Sequence, residues 1–365
     1  MKIVLTGGHL APALAVIENL PKDTEVLYVG RKHALEGDSA FSLEHKTITR
    51  LKIPFEEIKT GRMQRKFTPH TIPSLLKLPL GFISAFSILK KFNPDVVIGF
   101  GGYVSVPIGI VASLMGIPLV IHEQTLKVGL ANKILSKFAR KICVSWEEAG
   151  KFFPKEKVVL TGLPIRKFQI SSVRQAQDKF QVSDKLPLIY ITGGSQGSHF
   201  INVLVESSIN DLTKKFSIIH QTGDAREFGD FERLEKLKKE GYMPIKFVSP
   251  SEVGSIMQKA SLVIGRSGIN TIAEIIRFKK PALLIPVPFL KEQIDNALFF
   301  EKLGLGRVLI QKDAESQKFE QIINEMFASL NSYRKSAEKT SGLIKENAAA
   351  NLIEVVKDVV ESKKK

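Results

Sequence analysis

The segment Ile189-Tyr-Ile-Thr-Gly-Gly-Ser-Gln-Gly-Ser198, followed by the apolar-periodic run Phe200–Leu212, decides the fold predicted for this chain. A β-rich run enters a glycine turn, and the helix that begins near Ser198 directs free N–H groups and its positive dipole end at that turn. Ser195 and Gln196 add side-chain hydrogen bonds that glycine cannot supply. The pattern predicts a cradle for a diphosphate; the alternative is a tight strand-to-helix turn without a ligand. Since no Gly-Lys-Ser/Thr is present, this is not the P-loop of nucleotide hydrolases.

The rest of the chain repeats this alternation of short strands and helices in two halves. Such a pattern predicts a doubly wound α/β fold with two Rossmann-like domains, whose parallel sheets face each other across a cleft. The polar run Arg174–Leu186 is interpreted as the hinge. The loop Thr6-Gly-Gly-His9 after the first strand lacks the Gly-x-Gly-x-x-Gly motif, which argues against a nicotinamide enzyme. The predicted strands are Lys2–Leu5, Glu25–Gly30, Asp95–Ile98, Ile117–Ile121, Lys141–Val144, Val158–Leu160, Leu188–Thr192, Ser217–Gln221, Ile245–Val248, Leu262–Ile264, Ala282–Ile285 and Arg307–Ile310.

Composition limits the compartment and the partners. The chain has 365 residues, a formal net charge of +16 and one cysteine, Cys143. The length suggests two domains, and a single cysteine allows no intramolecular disulfide, which fits a reducing compartment. The positive charge predicts an anionic partner: nucleic acid, anionic lipid or a phosphorylated substrate. Nucleic acid is the least favoured of the three, because neither an RNA-binding aromatic signature nor zinc-finger spacing occurs.

Two stretches bear on a membrane. Val96–Ile121 carries no charge, but its glycines and prolines divide it into a predicted strand, loop, buried helix and strand, each too short to span a bilayer. Arg62–Phe92 mixes leucines and phenylalanines with lysines and arginines. That mixture suits a surface that sinks partly into a layer of anionic headgroups, although a core helix with solvated lysines is the alternative. The N-terminal apolar run is too short for a secretory signal.

Polar side chains follow several of the predicted strands. Gly99-Phe-Gly-Gly-Tyr103 and His122-Glu-Gln-Thr125 end two strands of the first half, and Asn132 lies one turn into the next helix. Ligands bind at the carboxyl edge of open α/β sheets, so these groups are candidates for a site. In the second half, a phosphate, a ribose diol and sugar hydroxyls are the predicted ligands of polar residues after strand ends. These residues are Arg266, Ser267, Glu274, Gln293 and Asn296.

Seven motifs follow one another along the chain, from near the N-terminus to about Ala297, and therefore cover most of it. They are Thr6-Gly-Gly-His9, Gly99-Phe-Gly-Gly-Tyr-Val-Ser105, Gly116-Ile-Pro-Leu-Val-Ile-His-Glu-Gln124, Gly162-Leu-Pro-Ile-Arg166, Gly193-Gly-Ser-Gln-Gly197, Arg266-Ser-Gly268 with Glu274, and Gln293 with Asn296. Together these collinear motifs resemble the MurG family, the peptidoglycan glycosyltransferases that add N-acetylglucosamine to lipid I.

The resemblance implies a GT-B glycosyltransferase fold and an inverting hexosyltransferase. Residues 1–162 would form an acceptor-binding, membrane-associating domain, residues 163–341 a donor-binding domain, and a helix within 342–365 would pack back on the first domain. The enzyme would move N-acetylglucosamine from UDP-N-acetylglucosamine to the muramyl 4-hydroxyl of undecaprenyl-diphosphate-linked muramyl-pentapeptide, at the cytoplasmic face of the membrane. No Asp-x-Asp occurs in the sequence, so a metal clamp on the diphosphate has no obvious ligands, and neither a metal nor a cofactor is expected.

The resemblance also assigns roles to residues. Arg166, Gly194, Ser195 and Gln196 would contact the donor diphosphate, Glu274 the ribose, Arg266 and Thr271 the nucleotide, and Gln293 with Asn296 the transferred sugar. Thr6, Gly7, Gly8, Gly102, Tyr103 and Asn132 would lie on the acceptor side. An inverting displacement needs a base for the acceptor hydroxyl. His9 is the first candidate because its titration range suits the role, Glu123 is the second, and His122 lies beside it.

Two alternatives remain open at the level of sequence. The chain departs from the family pattern in a shorter loop before Thr6 and in Thr125 where asparagine is usual, which leaves room for a GT-B enzyme with another acceptor or a UDP-sugar epimerase. A nucleotide-sugar sensor without catalysis is the other alternative. The titratable residues His9, His122 and Glu123 argue against a sensor.

Overall fold

The computed structural model describes residues 1–33, 41–61, 78–165, 185–194, 196–223 and 228–364. Contacts divide the chain into two units, one of Met1–Arg166 with Lys345–Lys365 and the other of Lys167–Ile344. The sequence places the corresponding boundaries at 162 and 341, a few residues earlier. The predicted hinge lies mostly outside the described residues, as does the part of the proposed membrane stretch before residue 78.

The first unit contains a seven-stranded sheet in which every neighbouring pair is parallel. Its strand order is β3-β2-β1-β4-β5-β6-β7, so the chain winds outward in both directions from β1 and β4. The strands are β1 (Lys2–Thr6), β2 (Glu25–Gly30), β3 (Phe55–Glu57), β4 (Val96–Gly99), β5 (Leu119–Glu123), β6 (Lys141–Val144) and β7 (Val158–Leu160).

Helices cover both faces of this sheet, because the strands have apolar side chains on both faces. Val4 and Val97 belong to the core on one face, whereas Ile3, Leu5 and Ile98 belong to the core on the other. Such two-sided burial is typical of parallel sheets. The helices of this part are α1 (Leu10–Ile17), α2 (Leu43–Arg50), α3 (Leu78–Phe92), α4 (Ser105–Leu114), α5 (Leu130–Leu135) and α6 (Glu147–Gly150), with a 3-10 turn at Lys155–Lys157.

The C-terminal helix of the chain completes the core of the first unit. This helix, Ala348–Lys364, places Leu352, Ile353 and Val356 in the same buried cluster as Ile3 and Leu5. It also donates from the Asn351 amide to the Thr161 carbonyl at 3.2 Å. Residues from the two ends of the chain therefore share one hydrophobic core.

The second unit repeats the architecture with a six-stranded parallel sheet in the order β10-β9-β8-β11-β12-β13. Its strands are β8 (Leu188–Thr192), β9 (Ser217–Gln221), β10 (Tyr242–Ile245), β11 (Leu262–Gly265), β12 (Ala282–Leu284) and β13 (Gly306–Val308). The helices are α7 (His199–Leu212), α8 (Asp230–Glu235), α9 (Pro250–Lys259), α10 (Ile269–Arg277), α11 (Lys291–Lys302), α12 (Ser316–Ala328) and α13 (Leu330–Thr340), with 3-10 turns at Gln311–Asp313 and Ser341–Leu343. The C-terminal helix of the chain is α14.

Several elements differ from the sequence prediction. The strand predicted at Ile245–Val248 is wrong, because β10 ends at Ile245 and α9 follows with Ser249 as its N-cap. β10 lies at the edge of the sheet, where a strand can contain a proline such as Pro244. The sequence did not predict α2, which Ser42 caps through its hydroxyl, or β3. Two of the three residues of β3 are glutamates, which have low strand propensity.

The uncharged stretch Val96–Ile121 has the predicted organisation: β4, a glycine loop, α4 and the start of β5. None of the helices in the described part of the chain is long and apolar enough to cross a membrane.

Candidate active site

Each sheet has one point where the strand order reverses, and a pair of loops leaves the sheet there. In the first unit these loops follow β1 and β4, and in the second unit they follow β8 and β11. The crevice between two such loops is where open α/β sheets bind their ligands. Both predicted glycine motifs of the first unit and two predicted motifs of the second lie at these points.

In the second unit the turn after β8 is packed so closely that only glycine fits. A Cβ on Gly193 would lie 2.4 Å from the Ser198 nitrogen, and a Cβ on Gly197, which has φ +77°, would lie 2.0 Å from the Thr222 carbonyl oxygen. The turn therefore folds directly over the start of α7 and against the end of β9. Gly194, with φ +86°, faces open space. α7 begins directly after this turn, with Ser198 as its N-cap, and the N–H groups at the start of a helix are the ones that an anion can use.

Arg266 lies beside the N-terminus of α7. Its guanidinium donates to the Ser198 hydroxyl at 2.7 Å, to the Ile285 carbonyl at 2.8 Å and to the Gln311 side-chain oxygen at 3.2 Å. Burial lowers the pKa of Arg266, and all three of these acceptors are uncharged. The helix terminus and the guanidinium thus bring two sources of positive potential to one place.

A cavity of about 860 Å³ opens at this place, within the size range of small-molecule sites. It brings together predicted donor residues that are far apart in sequence. Its lining consists of Gly193, Gly194, Gly197, Ser198, His199, Phe200, Val203, Phe228, Arg266, Gly268, Thr271, Val287, Phe289, Gln293 and Gln311.

Glu274 lies one turn after Thr271 on α10 and has an unusual titration range. Burial raises the pKa of its carboxyl from the ordinary value of 4.5 to about 7. Burial raises the pKa of the Tyr190 hydroxyl on β8, and the charge of nearby Glu274 raises the pKa of Tyr190 further. A carboxylate in such surroundings is a strong acceptor for the hydroxyls of a ribose.

Gln293 and Asn296 use part of their hydrogen-bonding capacity within the protein. Gln293 accepts from the Val287 N–H at 3.1 Å, and the buried Asn296 amide donates to the Ser267 carbonyl at 3.1 Å. The Ser267 hydroxyl donates back to the Gln293 carbonyl at 2.7 Å. These bonds connect the loop after β11 to α11, and they hold in place both residues that were predicted to bind the sugar.

Three further residues were predicted to contact the diphosphate. Arg166 and Ser195 lie outside the described residues. Gln196 is described, and its side chain is exposed at the glycine turn.

In the first unit the loops after β1 and β4 pack against each other through their glycines. A Cβ on Gly7, which has φ +142°, would lie 2.8 Å from the Gly101 carbonyl oxygen, and a Cβ on Gly102, with φ +78°, would lie 2.8 Å from the Gly8 nitrogen. The Gly8 N–H donates to the Gly101 carbonyl at 2.9 Å. Thr6 is buried beneath this pair, while Gly8 is exposed. Tyr103 packs against the core at the start of α4.

His9 is held in a defined orientation by the other glycine loop. Its Nδ1 lies 2.7 Å from the Phe100 carbonyl oxygen. Because a carbonyl only accepts, Nδ1 carries the proton and Nε2 is left as the basic nitrogen of the neutral ring. The side chain is half-buried, next to the backbone of Gly101.

His122 is in a different situation, since it is almost completely buried at the end of β5. Burial lowers the pKa of His122 to about 4, so the ring is neutral near pH 7. Its Nε2 faces the Ser145 hydroxyl at 3.1 Å and the Gly162 carbonyl at 3.3 Å. Nδ1 has no hydrogen-bond partner among the residues that the structure describes.

Glu123 is also buried, and four donors surround its carboxylate. One oxygen accepts from the N–H of Thr125 at 3.0 Å and from its hydroxyl at 2.6 Å. The other accepts from the Gly129 N–H and from the Asn132 amide, each at 3.0 Å. Asn132 also donates to the His122 carbonyl at 3.0 Å. The carboxylate therefore holds the loop between β5 and α5 in one conformation.

A histidine in the cavity of the second unit was not recognised from the sequence. His199, the first residue of α7, bonds to Asp230, and its ring stacks on Phe228. Its position directly after the glycine turn is a signal that the sequence contains. Its partner lies 31 residues further along the chain, so the pair exists only in the folded protein.

Comparisons with known proteins match both units to one family. The glycosyltransferase family 28 N-terminal domain matches residues 4–144, and the C-terminal domain of that family matches residues 188–356.

Two curated relatives carry the name UDP-N-acetylglucosamine–N-acetylmuramyl-(pentapeptide) pyrophosphoryl-undecaprenol N-acetylglucosamine transferase. The protein of Clostridium botulinum, strain Loch Maree, is 34% identical over 98% of both chains. The second such transferase of Bacillus cereus is 35% identical over 93% of this chain and 96% of its own.

Among solved structures, MurG of Acinetobacter baumannii superimposes with a TM-score of 0.74 at 23% identity, covering 98% of this chain and 99% of its own. The UDP-GlcNAc 2-epimerase of Neisseria meningitidis has a TM-score of 0.63 at 17% identity, covering 98% and 100%. These likenesses show the fold alone, and they confirm the predicted GT-B fold. With two matched domains and full-length relatives above 30% identity, this chain belongs to glycosyltransferase family 28 and to the MurG family within it.

Proposed function

We propose that this protein is an inverting hexosyltransferase that moves N-acetylglucosamine from UDP-N-acetylglucosamine to the muramyl 4-hydroxyl of undecaprenyl-diphosphate-linked muramyl-pentapeptide. This is the step from lipid I to lipid II in peptidoglycan synthesis. The observation that carries the proposal is the match, along 98% of both chains, to a transferase named for this reaction. The cavity at the reversal point of the second sheet supplies the chemistry for the sugar nucleotide.

The donor side of the reaction belongs to the second unit. The N-terminus of α7 and Arg266 would hold the diphosphate, and Glu274 with Thr271 would hold the ribose and the rest of the nucleotide. When the bond between C1 of the sugar and the phosphate oxygen breaks, the electron pair goes to that oxygen. Fixed positive potential at this position stabilises the leaving group. By resemblance, Arg166, Gly194, Ser195 and Gln196 add diphosphate contacts, and Gln293 and Asn296 bind the transferred sugar.

On the acceptor side we assign the base to His9. The Phe100 carbonyl holds Nδ1–H, which leaves Nε2 as the ring nitrogen that can accept a proton. Nε2 would take the proton of the acceptor hydroxyl as the hydroxyl oxygen attacks C1 from the face opposite to the leaving diphosphate. The paired glycine loops, through Thr6, Gly7, Gly8, Gly102 and Tyr103, would shape the place for the acceptor.

His122, Glu123 and Asn132 support that place without contacting substrate. All three side chains are buried, and the carboxylate of Glu123 is already committed to four donors from its own loop. We therefore interpret them as positioning residues and keep the base role for His9.

The lipid substrate requires a membrane surface, which we assign to α3. This helix exposes Leu80, Ile83 and Phe86 and ends with Lys90 and Lys91. Apolar side chains next to cations suit insertion into anionic headgroups. We propose peripheral binding at the cytoplasmic face of the cell membrane.

The test is the release of UDP from UDP-N-acetylglucosamine by the purified protein, with and without a short-chain analogue of lipid I. We expect release that depends on the analogue and yields a disaccharide product. Tight UDP-sugar binding without analogue-dependent release would refute the acceptor assignment. Conversion of the donor to an epimer without acceptor would identify an epimerase instead.

A further inference from the structure

The inference concerns His199, which lies where the proposed function places the diphosphate of the donor, and it rests on that function. His199 is the first residue of α7, and its side chain lines the cavity next to Ser198 and Gly197. This helix begins directly after the glycine turn. The imidazole of His199 therefore belongs to the same helix terminus that would hold the anion.

Asp230 on α8 fixes the protonation pattern of His199. Its carboxylate is almost completely buried and lies 2.8 Å from His199 Nδ1. Burial alone would raise the pKa of Asp230, but hydrogen bonds from Asn202, His199 and Arg233 outweigh burial and hold the pKa below its ordinary value. An ionised carboxylate only accepts, so Nδ1 carries a proton and Nε2 is the ring nitrogen left for a ligand.

Two further contacts hold this pair in place. The His199 ring stacks on Phe228 with centroids 4.0 Å apart and planes 14° apart. Arg233 donates to Asp230 at 2.8 Å and also to Glu206 on α7. Functional histidines typically have both the ring orientation and the tautomer fixed by a neighbouring group, as His199 does.

Charged groups surround His199. Asp230 contacts its ring, Arg233 donates to Asp230 and to Glu206, and the positive end of α7 and Arg266 border the same cavity. Because Asp230 holds the Nδ1 proton, Nε2 can donate to a phosphate oxygen only when the ring carries a second proton there.

We propose that His199 binds the diphosphate of the sugar nucleotide as a protonated imidazole, held for that role by Asp230. Binding then includes uptake of a proton, and Nε2–H donates to a phosphate oxygen. In the transfer step the same cation faces the charge that develops on the departing UDP.

The decisive variant is His199→Asn, because the asparagine amide can take the place of Nδ1 and still donate to Asp230. It keeps the contact that a structural role needs and removes Nε2. By calorimetry at pH 7, we expect UDP to bind His199→Asn about tenfold more weakly than the wild type, as for loss of one charge-assisted hydrogen bond. Uridine, which lacks the diphosphate, should bind both proteins equally and reports that the site is intact.

Proton uptake separates this role from the titration of Glu274. UDP binding measured in buffers of different ionisation enthalpy should show more proton uptake for the wild type than for His199→Asn, while uridine shows no difference between them. His199→Arg, which places a permanent cation at the position, should bind UDP nearly as well as the wild type and remove the extra proton uptake.

Equal UDP affinity of the wild type and His199→Asn would overturn the proposal, and so would a His199→Arg variant as weak as His199→Asn. These results differ from failure of the proposed function. If the wild-type protein bound neither UDP nor UDP-N-acetylglucosamine, the donor assignment itself would fall, and this inference with it.

Discussion

His9 shows how one side chain obtains its protonation pattern from a distant part of the chain. The sequence places a histidine after the first glycine loop, which makes it a candidate base. The hydrogen bond to the Phe100 carbonyl, 91 residues away, places the proton of the neutral ring on Nδ1 and makes Nε2 the nitrogen that can accept. Only glycine at positions 7 and 102 allows the two loops to approach closely enough for this bond.

The first prediction follows from this contact. His9→Ala should lower kcat for UDP release in the presence of the lipid I analogue by about 10²–10⁴-fold, the range for loss of a general base. The affinity for UDP-N-acetylglucosamine should stay unchanged, because the donor residues are in the other unit. Steady-state kinetics and calorimetry measure the two effects. An unchanged kcat would remove His9 from the chemistry.

Glu274 gives a prediction on pH and stability. Its pKa is about 7 in the folded protein and 4.5 ordinarily, so the folded state holds this proton more tightly than the unfolded chain. Ionisation therefore costs stability as the pH rises from about 4.5 to 7, and the cost stays constant above that. Glu274→Gln removes the titration. Relative to the wild type it should gain about 2–3 kcal/mol between pH 4.5 and pH 8.

Urea unfolding of both proteins at the two pH values measures this gain. The same difference in the free energy of unfolding at pH 4.5 and pH 8 would show that the carboxyl is not perturbed. A separate UDP titration of Glu274→Gln reports on its contact with the ribose.

At the scale of elements, the loop between β5 and α5 depends on the single carboxylate of Glu123. Glu123→Gln should destabilise the protein by about 2–4 kcal/mol, because an amide points its NH₂ at two of the four donors in either orientation. Turnover per folded molecule should fall much less than in His9→Ala. Urea unfolding and kcat, measured on the same sample, test this. A loss of kcat of a hundredfold or more with unchanged stability would instead make Glu123 the base.

The exposed face of α3 gives a prediction about the membrane. The double variant Ile83→Glu, Phe86→Glu should bind vesicles that contain anionic lipid at least tenfold more weakly, because it removes apolar insertion and adds repulsion. Leu114→Glu is the matched control, since Leu114 is an exposed leucine at the end of α4. Vesicle sedimentation at two salt concentrations measures the effect. Equal losses for the control and the double variant would exclude α3 as the specific contact.

At the scale of the whole molecule, the first unit is built from both ends of the chain. Leu352 on α14 is completely buried in the cluster that contains Ile3 and Leu5 of β1. Leu352→Ala should therefore destabilise the protein by about 2–5 kcal/mol, the usual cost of emptying a buried leucine site. Urea unfolding detects the loss. A change below 0.5 kcal/mol, the size of an ordinary surface substitution, would show that the helix does not contribute to the core.

Much of this architecture could be predicted because its signals are local. Parallel strands buried on both faces are short apolar runs, and glycine turns separate them from helices with a 3.6-residue period. β8 and α7 have strong signals of this kind and lie nearly where they were predicted. β3, with two glutamates in three residues, and β10, which contains Pro244, lack such signals. These two segments form strands because each pairs with a neighbouring strand, which outweighs their weak strand propensity.

The sequence by itself determined the α/β class, the glycine turns and the residue types that line them, since these depend on neighbours along the chain. Only the tertiary structure decided which titratable groups are available. It buries His122, commits Glu123 to its own loop and ties Nδ1 of His9 to the Phe100 carbonyl. It also raises the pKa of Glu274 and brings Asp230 to His199. Burial and hydrogen bonds between residues distant in sequence set the charge state of a side chain, and these exist only after folding.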